Sequence, residues 1–310
     1  MKKEINYFLK KTVSDLKKYE FKTFLIAIIS GDKKNDIIEK PFKKQLGKKL
    51  TVFLKKEVDF KNPDILIQIN LKDKTINYQI KPLYIYGRYQ KIKAGIPQTR
   101  WYKKIYPTSV QEEIGNILLK YTKGNDHVFH GCGREDIDVL MLGNGRPFVL
   151  EIKNPKKRSI NLNKLQSEIN KNSIWVKVKN LSFTAKEKIK ELKLAKPEKI
   201  YEAQVQLEKK VNTEVLKKAA LKLSNIVINQ QTPKRVLKRR YDLLRKRKIY
   251  YFTLKKYHPI NPVFEIKTEA GTYIKELISG DEGRTRPSLS EILNQKCFVK
   301  ELKVISINYP

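Results

Sequence analysis

Cysteine is almost absent from this sequence: Cys132 and Cys297 are the two among 310 residues. Two thiols build neither a disulfide framework nor a four-cysteine zinc site. Histidine is as sparse, with His127, His130 and His258. His127, His130 and Cys132 fall close together, as metal ligands do, but no second ligand cluster completes a site, and a polar approach to a glycine turn is the better reading. No metal is expected. No apolar run approaches the ~20 residues of a membrane-spanning helix, and the longest candidate, residues 24–29, reads as a buried strand. The N-terminus carries lysines and Glu4 but no continuous apolar stretch, so a secretory signal is not expected. These absences predict a cytoplasmic protein without a membrane partner.

Acid is also scarce, with 32 Asp+Glu against 67 Lys+Arg and a formal net charge of +35. Such a surface excludes an ordinary neutral metabolic enzyme and makes a polyanion the default partner. The apolar fraction of 40% still supplies a packed core, and the length allows one large or two medium domains. Within the cations arginine is the rare one: 12 of the 67, none before Arg88. Lysine serves wherever a plain positive charge suffices, whereas the planar guanidinium serves bidentate and stacked contacts. The arginines therefore mark candidate contacts: Arg88, Arg100, Arg134, Arg146, Arg158, a cluster at Arg235, Arg239, Arg240, Arg245 and Arg247, and Arg284 with Arg286.

Along the chain, a lysine-rich helical pattern over residues 5–19 precedes an apolar strand over 23–29 and mixed polar sequence to Phe60. Ile65, Ile67 and Ile69 alternate as in a strand, and a second strand follows the turn at Lys72, Asp73 and Lys74. This hairpin is expected to run on into residues 84–89, where tyrosines interleaved with Arg88, Lys91 and Lys93 suit a single-stranded nucleic acid as well as ordinary half-buried packing. The loop 94–100 is taken as the domain boundary, dividing the chain into 1–98 and 99–310. A helix over 109–121 begins with Ser109 and Glu112 spaced as a capping box. Strands near 174–178, 199–207 and 226–229 then alternate with helices over 184–194 and 213–223. A helix over 271–278, a second capped one at 288–293 and a strand over 299–307 end the chain. The absence of regular βαβ spacing favours an α+β domain around a largely antiparallel sheet.

The chemical centre is the run from Gly131 to Val139. Two glycines give a sharp turn, and alternation presents Arg134, Asp136 and Asp138 together. The turn at Gly143, Asn144 and Gly145 is expected to close a hairpin with the strand bearing Glu151 and Lys153. Two chemistries fit. Asp138 with Glu151 and Lys153 has the spacing of a Mg²⁺-dependent phosphodiesterase, although a plain salt-bridged hairpin accounts better for those three. Alternatively, Asp136 acts as a covalent nucleophile on a nucleobase or its sugar, helped by a nearby cation and an aromatic platform.

Residues 131–158, GCGREDIDVLMLGNGRPFVLEIKNPKKR, resemble the signature of the archaeal and eukaryotic tRNA pseudouridine synthases that modify uridines 54 and 55 of the TΨC arm. The segments PLYIYGRYQK (82–91), GIPQTRW (95–101), KIYEA (199–203), QTPKRVLKRR (231–240) and GTYIKELISGDEGRTRPS (271–288) agree with it in the same order. The resemblance implies a C-terminal pseudouridine synthase domain around a mostly antiparallel mixed sheet, with a smaller N-terminal α/β THUMP-like domain. It implies that Asp136 is the catalytic aspartate, attacking C6 of uracil or C1′ of the ribose, with no cofactor. Tyr201 is implied to stack on the target base and is a candidate for removing the C5 proton. Lys275 would pair with the aspartate, and Ile274 and Leu302 would wall the base pocket. Arg134 would help take the uridine out of the stack.

Arg88, Arg100, Arg235, Arg239, Arg240, Arg284 and Arg286 are expected to contact tRNA, the basic stretch 232–240 forming a thumb or groove for phosphates. The family usually carries a zinc module with paired cysteines ahead of a THUMP-type fold, and no cysteine precedes Cys132 here. The N-terminal domain is therefore expected to be shortened and zinc-free. A monomer needing no protein partner is expected, and a non-catalytic tRNA chaperone is the remaining alternative.

Overall fold

The computed structural model describes residues 1–29, 36–103 and 105–309. Helix α1 (Lys2–Leu16) buries Ile5, Phe8, Leu9, Thr12 and Leu16, a stripe at helical spacing under a lysine-rich outer face. It packs on α2 (Asp36–Leu54), which the sequence reading left as mixed polar chain. Among the α2 side chains described, one apolar residue per turn is fully buried, Phe42, Leu46 and Leu50, and the surrounding lysines mask so narrow a stripe. Both helices cover a four-stranded sheet in the order β2 (Glu57–Val58), β1 (Thr23–Ile28), β3 (Ile65–Asn70), β4 (Thr75–Ile80). Ile65, Ile67 and Ile69 all face its core, as their alternation foretold.

The next strand, β5 (Leu83–Lys91), leaves that sheet. It lies between β7 (Leu140–Lys153) and β8 (Val176–Thr184) inside a second sheet of ten strands. The hairpin thus does not continue past Ile80, and the 98/99 division falls after a strand that already belongs to the larger sheet. An interior strand has no open face for RNA: Tyr84, Arg88, Tyr89 and Lys91 are all buried. The small unit is tied on where Glu20 accepts hydrogen bonds from the amides of Arg158 and Ser159, at 2.7 and 2.9 Å.

Going along the chain, the larger unit adds α3 (Val110–Thr122), β6 (Asp126–Gly131), α4 (Leu162–Asn172), α5 (Glu187–Leu194), β9 (Lys199–Leu207), α6 (Thr213–Lys222), β10 (Ile226–Gln231), β11 (Leu244–Lys256), β12 (Val263–Thr268), α7 (Ile274–Ser279), β13 (Thr285–Arg286), α8 (Leu289–Leu293) and β14 (Cys297–Ile307). The sheet order is β13, β10, β11, β12, β9, β14, β7, β5, β8, with β6 on β7. Among these pairings β14 with β7 is parallel and the rest antiparallel, the α+β arrangement expected. Both serines cap their helices: Ser109 and Ser288 accept from the amides of Glu112 and Glu291. Strand β11, for which no element was expected, lies between β10 and β12 and alternates half-buried Arg245 and Arg247 with exposed Lys246 and Lys248 before the buried Ile249 and Phe252.

The Gly-Asn-Gly turn does not close a hairpin. Strand β7 runs through it as a wide bulge, its partners on β5 jumping from Arg146 opposite Tyr89 to Met141 opposite Lys91. Asn144 fills the bulge by exchanging two side-chain hydrogen bonds with the backbone of Ile307, at 2.8 and 2.9 Å. Gly143 is required there, because a Cβ would stand 1.7 Å from the carbonyl oxygen of Ile305. Arg88 completes the clamp, donating to the carbonyls of Asn144, Gly145, Ile307 and Tyr309. That guanidinium, expected as an RNA contact, is committed here to carbonyls of its own chain. Arg88→Met should therefore lower unfolding free energy by about 3 kcal/mol through stranded carbonyls, read as a lower urea midpoint, while the folded fraction binds RNA as before.

Candidate active site

Strand β6 ends at Gly131, and residues 132–139 cross to β7 as an irregular loop carrying Asp136. Gly133, at φ +77, passes so close to Arg146 that a Cβ would sit 3.0 Å from its Nη1. Inside the loop Glu135 points down, its side chain 1% exposed, and accepts from Arg146 Nε at 2.9 Å and from the Tyr89 hydroxyl at 2.9 and 2.8 Å. Lys91, 0% exposed, stands 3.8 Å from Glu135 Oε1 and donates to the carbonyl oxygens of Ile96, Asp136 and Ile137. Burial pushes the Tyr89 phenol well above its ordinary range and draws the Lys91 ammonium down despite the neighbouring carboxylates.

With Glu135 turned inward, Asp136 faces outward, its side chain partly open to solvent. Its Oδ2 lies 2.9 Å from Arg235 Nη1 and 3.7 Å from Lys275 Nζ. Lys275, expected as the partner of Asp136, is held more tightly by Asp138, at 2.6 and 2.8 Å. Burial acts to raise the Asp138 carboxyl, but the hydrogen bond and charge of Lys275 outweigh it and hold the group below its usual value. Arg235, expected as a phosphate contact, is instead the nearest cation to Asp136. Its Nε donates to Glu276 at 2.7 Å, and its guanidinium lies 5.9 Å from the centre of the Tyr273 ring. Glu276 had no place in the sequence reading; it follows Lys275 directly, and its own burial is the signal of its role.

Tyr201 on β9 lies opposite Ile266 on β12 and Val304 on β14. Burial raises its phenol to about 12, with Asp136 and Glu135 adding to the effect and Arg146 opposing it. It shares one apolar cluster with Ile274 and Leu302, both buried. Arg134 is exposed and makes no side-chain contact among the described residues. The structure thus brings Asp136, Lys275 and Arg235 into direct contact and gathers Tyr201, Ile274 and Leu302 in the cluster beside them.

The remaining arginines divide. Arg239 and Arg240 are exposed on the 3-10 turn and its end, the same segment that Arg235 pins to Asp136, and Arg286 is exposed as well. Arg284, expected as an RNA contact, donates to the carbonyl of Thr232 and to Asp242 and so braces this segment. Arg100 lies apart, half-exposed beside Glu112 at 3.5 Å and Asp126 at 4.0 Å.

The phosphodiesterase reading dissolves in this geometry. Asp138 pairs with Lys275, Glu151 with His130 at 3.2 Å and Lys153 with Asp126 at 4.0 Å. Among the described residues no three His, Cys, Asp or Glu side chains group as metal ligands. His127 packs against Gln111 and Asn116, and Cys132 is buried without a metal-like neighbour set.

The family described as "Pus10, C-terminal" matches residues 84–308. The tRNA pseudouridine synthase Pus10 of Methanocaldococcus jannaschii is 44% identical, covering 99% of this chain and 73% of that protein. That of Thermoplasma acidophilum is 40% identical over 87% of this chain and 69% of its own length, and that of Archaeoglobus fulgidus 38% over 98% and 92%. A solved structure described as a Cbf5-Nop10-Gar1 complex aligns with a TM-score of 0.43 at 18% identity, over 72% of this chain and 48% of that one. With a family match that begins inside β5 and runs through β14, and relatives near 40% identity along almost the whole chain, this protein belongs to the Pus10 family of tRNA pseudouridine synthases.

Proposed function

We propose that this chain isomerises uridine to pseudouridine in tRNA, at position 54, 55 or both of the TΨC arm, with Asp136 as the nucleophile. The observation that carries the reading is the Asp136 carboxylate, partly open to solvent, flanked by Arg235 and Lys275, and within electrostatic reach of the buried Tyr201. Attack at C1′ of the ribose or C6 of uracil leads in either case to the same exchange. The N1–C1′ bond breaks, a C5–C1′ bond forms, a proton leaves C5 and one is gained at N1. The reaction is redox-neutral and its atoms balance without a co-reactant, so none is invoked.

Each residue has a task that its surroundings support. Arg235 and Lys275 set positive charge against the carboxylate that must carry negative charge at the start of the reaction. Tyr201, whose phenol burial raises to about 12, stacks on the extruded base in this reading and is a candidate for taking the C5 proton. Ile274 and Leu302 supply apolar walls, which together with the ring return part of the stacking lost when a base leaves the T-arm. Arg134 is free to meet the substrate backbone.

Residues 1–81 form the accessory RNA-binding unit in this reading, THUMP-like and without a zinc site, supported by their separate sheet and core. A groove of about 420 Å³ at the junction of the two units is lined by Lys123, Lys156, Asn125 and Asn154, a suitable path for a phosphate backbone. No helix among the described residues is long and apolar enough to cross a membrane, and a cytoplasmic monomer acting on tRNA is the simplest setting.

Asp136→Asn should abolish pseudouridine formation on an unmodified tRNA transcript, read by carbodiimide primer extension, with tRNA affinity within a few-fold of the parent. Retained product would sink the assignment, and no product from the parent chain would favour a chaperone. Conversion should also persist in EDTA once the RNA is prefolded. Replacing Arg239 and Arg240 by glutamine should weaken binding to every tRNA alike and reduce the slope of log affinity against log salt by about one per lost phosphate contact.

A further inference from the structure

Three charged side chains lie beneath the Asp136 loop, all but closed to water: Lys91 at 0%, Glu135 at 1% and Arg146 at 2% side-chain exposure. Burying such groups is costly, and apolar residues of similar volume would generally pack there as stably or more so. Their presence calls for a gain other than stability. The donors show where that gain falls. Arg146 Nη1 donates to the Cys132 carbonyl at 2.8 Å, and Gln98, itself bonded to the Tyr89 hydroxyl, donates to Gly133 at 3.0 Å. Lys91 Nζ reaches Asp136 at 2.9 Å and Ile137 at 3.2 Å. The carbonyls of residues 132, 133, 136 and 137 are thus each held by a buried side chain, in a loop that has no ladder of its own. Lys91 also holds the Ile96 carbonyl, and the Gly95 amide donates to Ile137 at 3.0 Å, so the neighbouring loop is tied to the same point.

We propose that Lys91 is a positioning residue for Asp136: balanced by Glu135 and Arg146, it fixes the main chain on which the nucleophile stands and so sets the approach of the carboxylate to the target nucleoside. The proposal rests on the pseudouridine synthase reading of Asp136. It assigns to β5, an interior strand with no substrate contact of its own, a direct mechanical part in the reaction.

The test uses the full chain and prefolded tRNA under single-turnover conditions with saturating enzyme, where the rate constant does not depend on the fraction of enzyme that is active. Lys91→Met keeps the length and apolar stem and removes the ammonium. It should slow the rate constant by about 10- to 100-fold, as loss of sub-ångström placement does, with tRNA affinity within about threefold, a change that uniform loss of substrate binding cannot give. A packing role alone would lower the melting temperature and the reaction amplitude but leave the rate constant unchanged, and that result would overturn the proposal. Should Lys91→Met not fold, Glu135→Gln keeps the shape while removing the shared counter-charge. A rate constant at least about fivefold lower is then expected, and an unchanged one is equally fatal. Asp136→Asn run alongside separates the two ideas. Product from that variant means the functional reading has failed, whereas a dead Asp136→Asn beside a full-speed Lys91→Met means that only the positioning role has.

Discussion

The ion pair between Glu135 and Arg146, 2.9 Å long and shut off from water, is the point on which the catalytic half of this chain turns. It joins the loop after β6 to the first residues beyond the β7 bulge, and through Tyr89 it takes in the neighbouring strand as well. Glu135 turns inward while the next residue, Asp136, stays partly open to solvent. Removing either partner would strand the other's charge in the core, so the arrangement holds as a unit.

Much of this was legible from sequence, for reasons that particular residues make plain. Ile65, Ile67 and Ile69 announced their strand because one face of β3 is wholly buried, and Ser109 and Ser288 announced their helices because capping boxes are local. Asp136, Lys275, Tyr201, Ile274 and Leu302 came from motif resemblance; Lys275 lies 3.7 Å from Asp136, and Tyr201, Ile274 and Leu302 belong to the core of the same unit. What stayed hidden was either narrow or long-range. Helix α4 buries only Leu165 and Ile169, too thin a stripe to stand out from its lysines and asparagines. The bulge at Asn144 depends on Ile307, near the far end of the chain, and without that partner a Gly-Asn-Gly run reads as a hairpin turn.

The scarcity of arginine proved informative in a different sense from the one the sequence suggested. Guanidinium groups here serve above all to satisfy carbonyl oxygens: Arg88 at the bulge, Arg146 at Cys132, Arg158 at Lys81 and Arg284 at Thr232. A rigid fork of donors suits irregular backbone that no strand or helix can complete. The surface field that draws a polyanion falls mainly to lysine, and Arg134, Arg239, Arg240 and Arg286 are exposed arginines that face outward.

Strand β14 has a consequence for how the protein is made. It stands between β9 and β7, the sole link joining the half-sheet of β9 to β13 with that of β5 to β8. In sequence it follows every other strand of that sheet. The four-stranded unit at the N-terminus can close early, from contacts short in sequence. The ten-stranded sheet must wait as two open halves, each with an unpaired edge, until residues 297–307 emerge and Ile307 meets Asn144. The two halves thus join only once β14 is in place, and a chain lacking residues 297–307 would keep those two edges open to other chains.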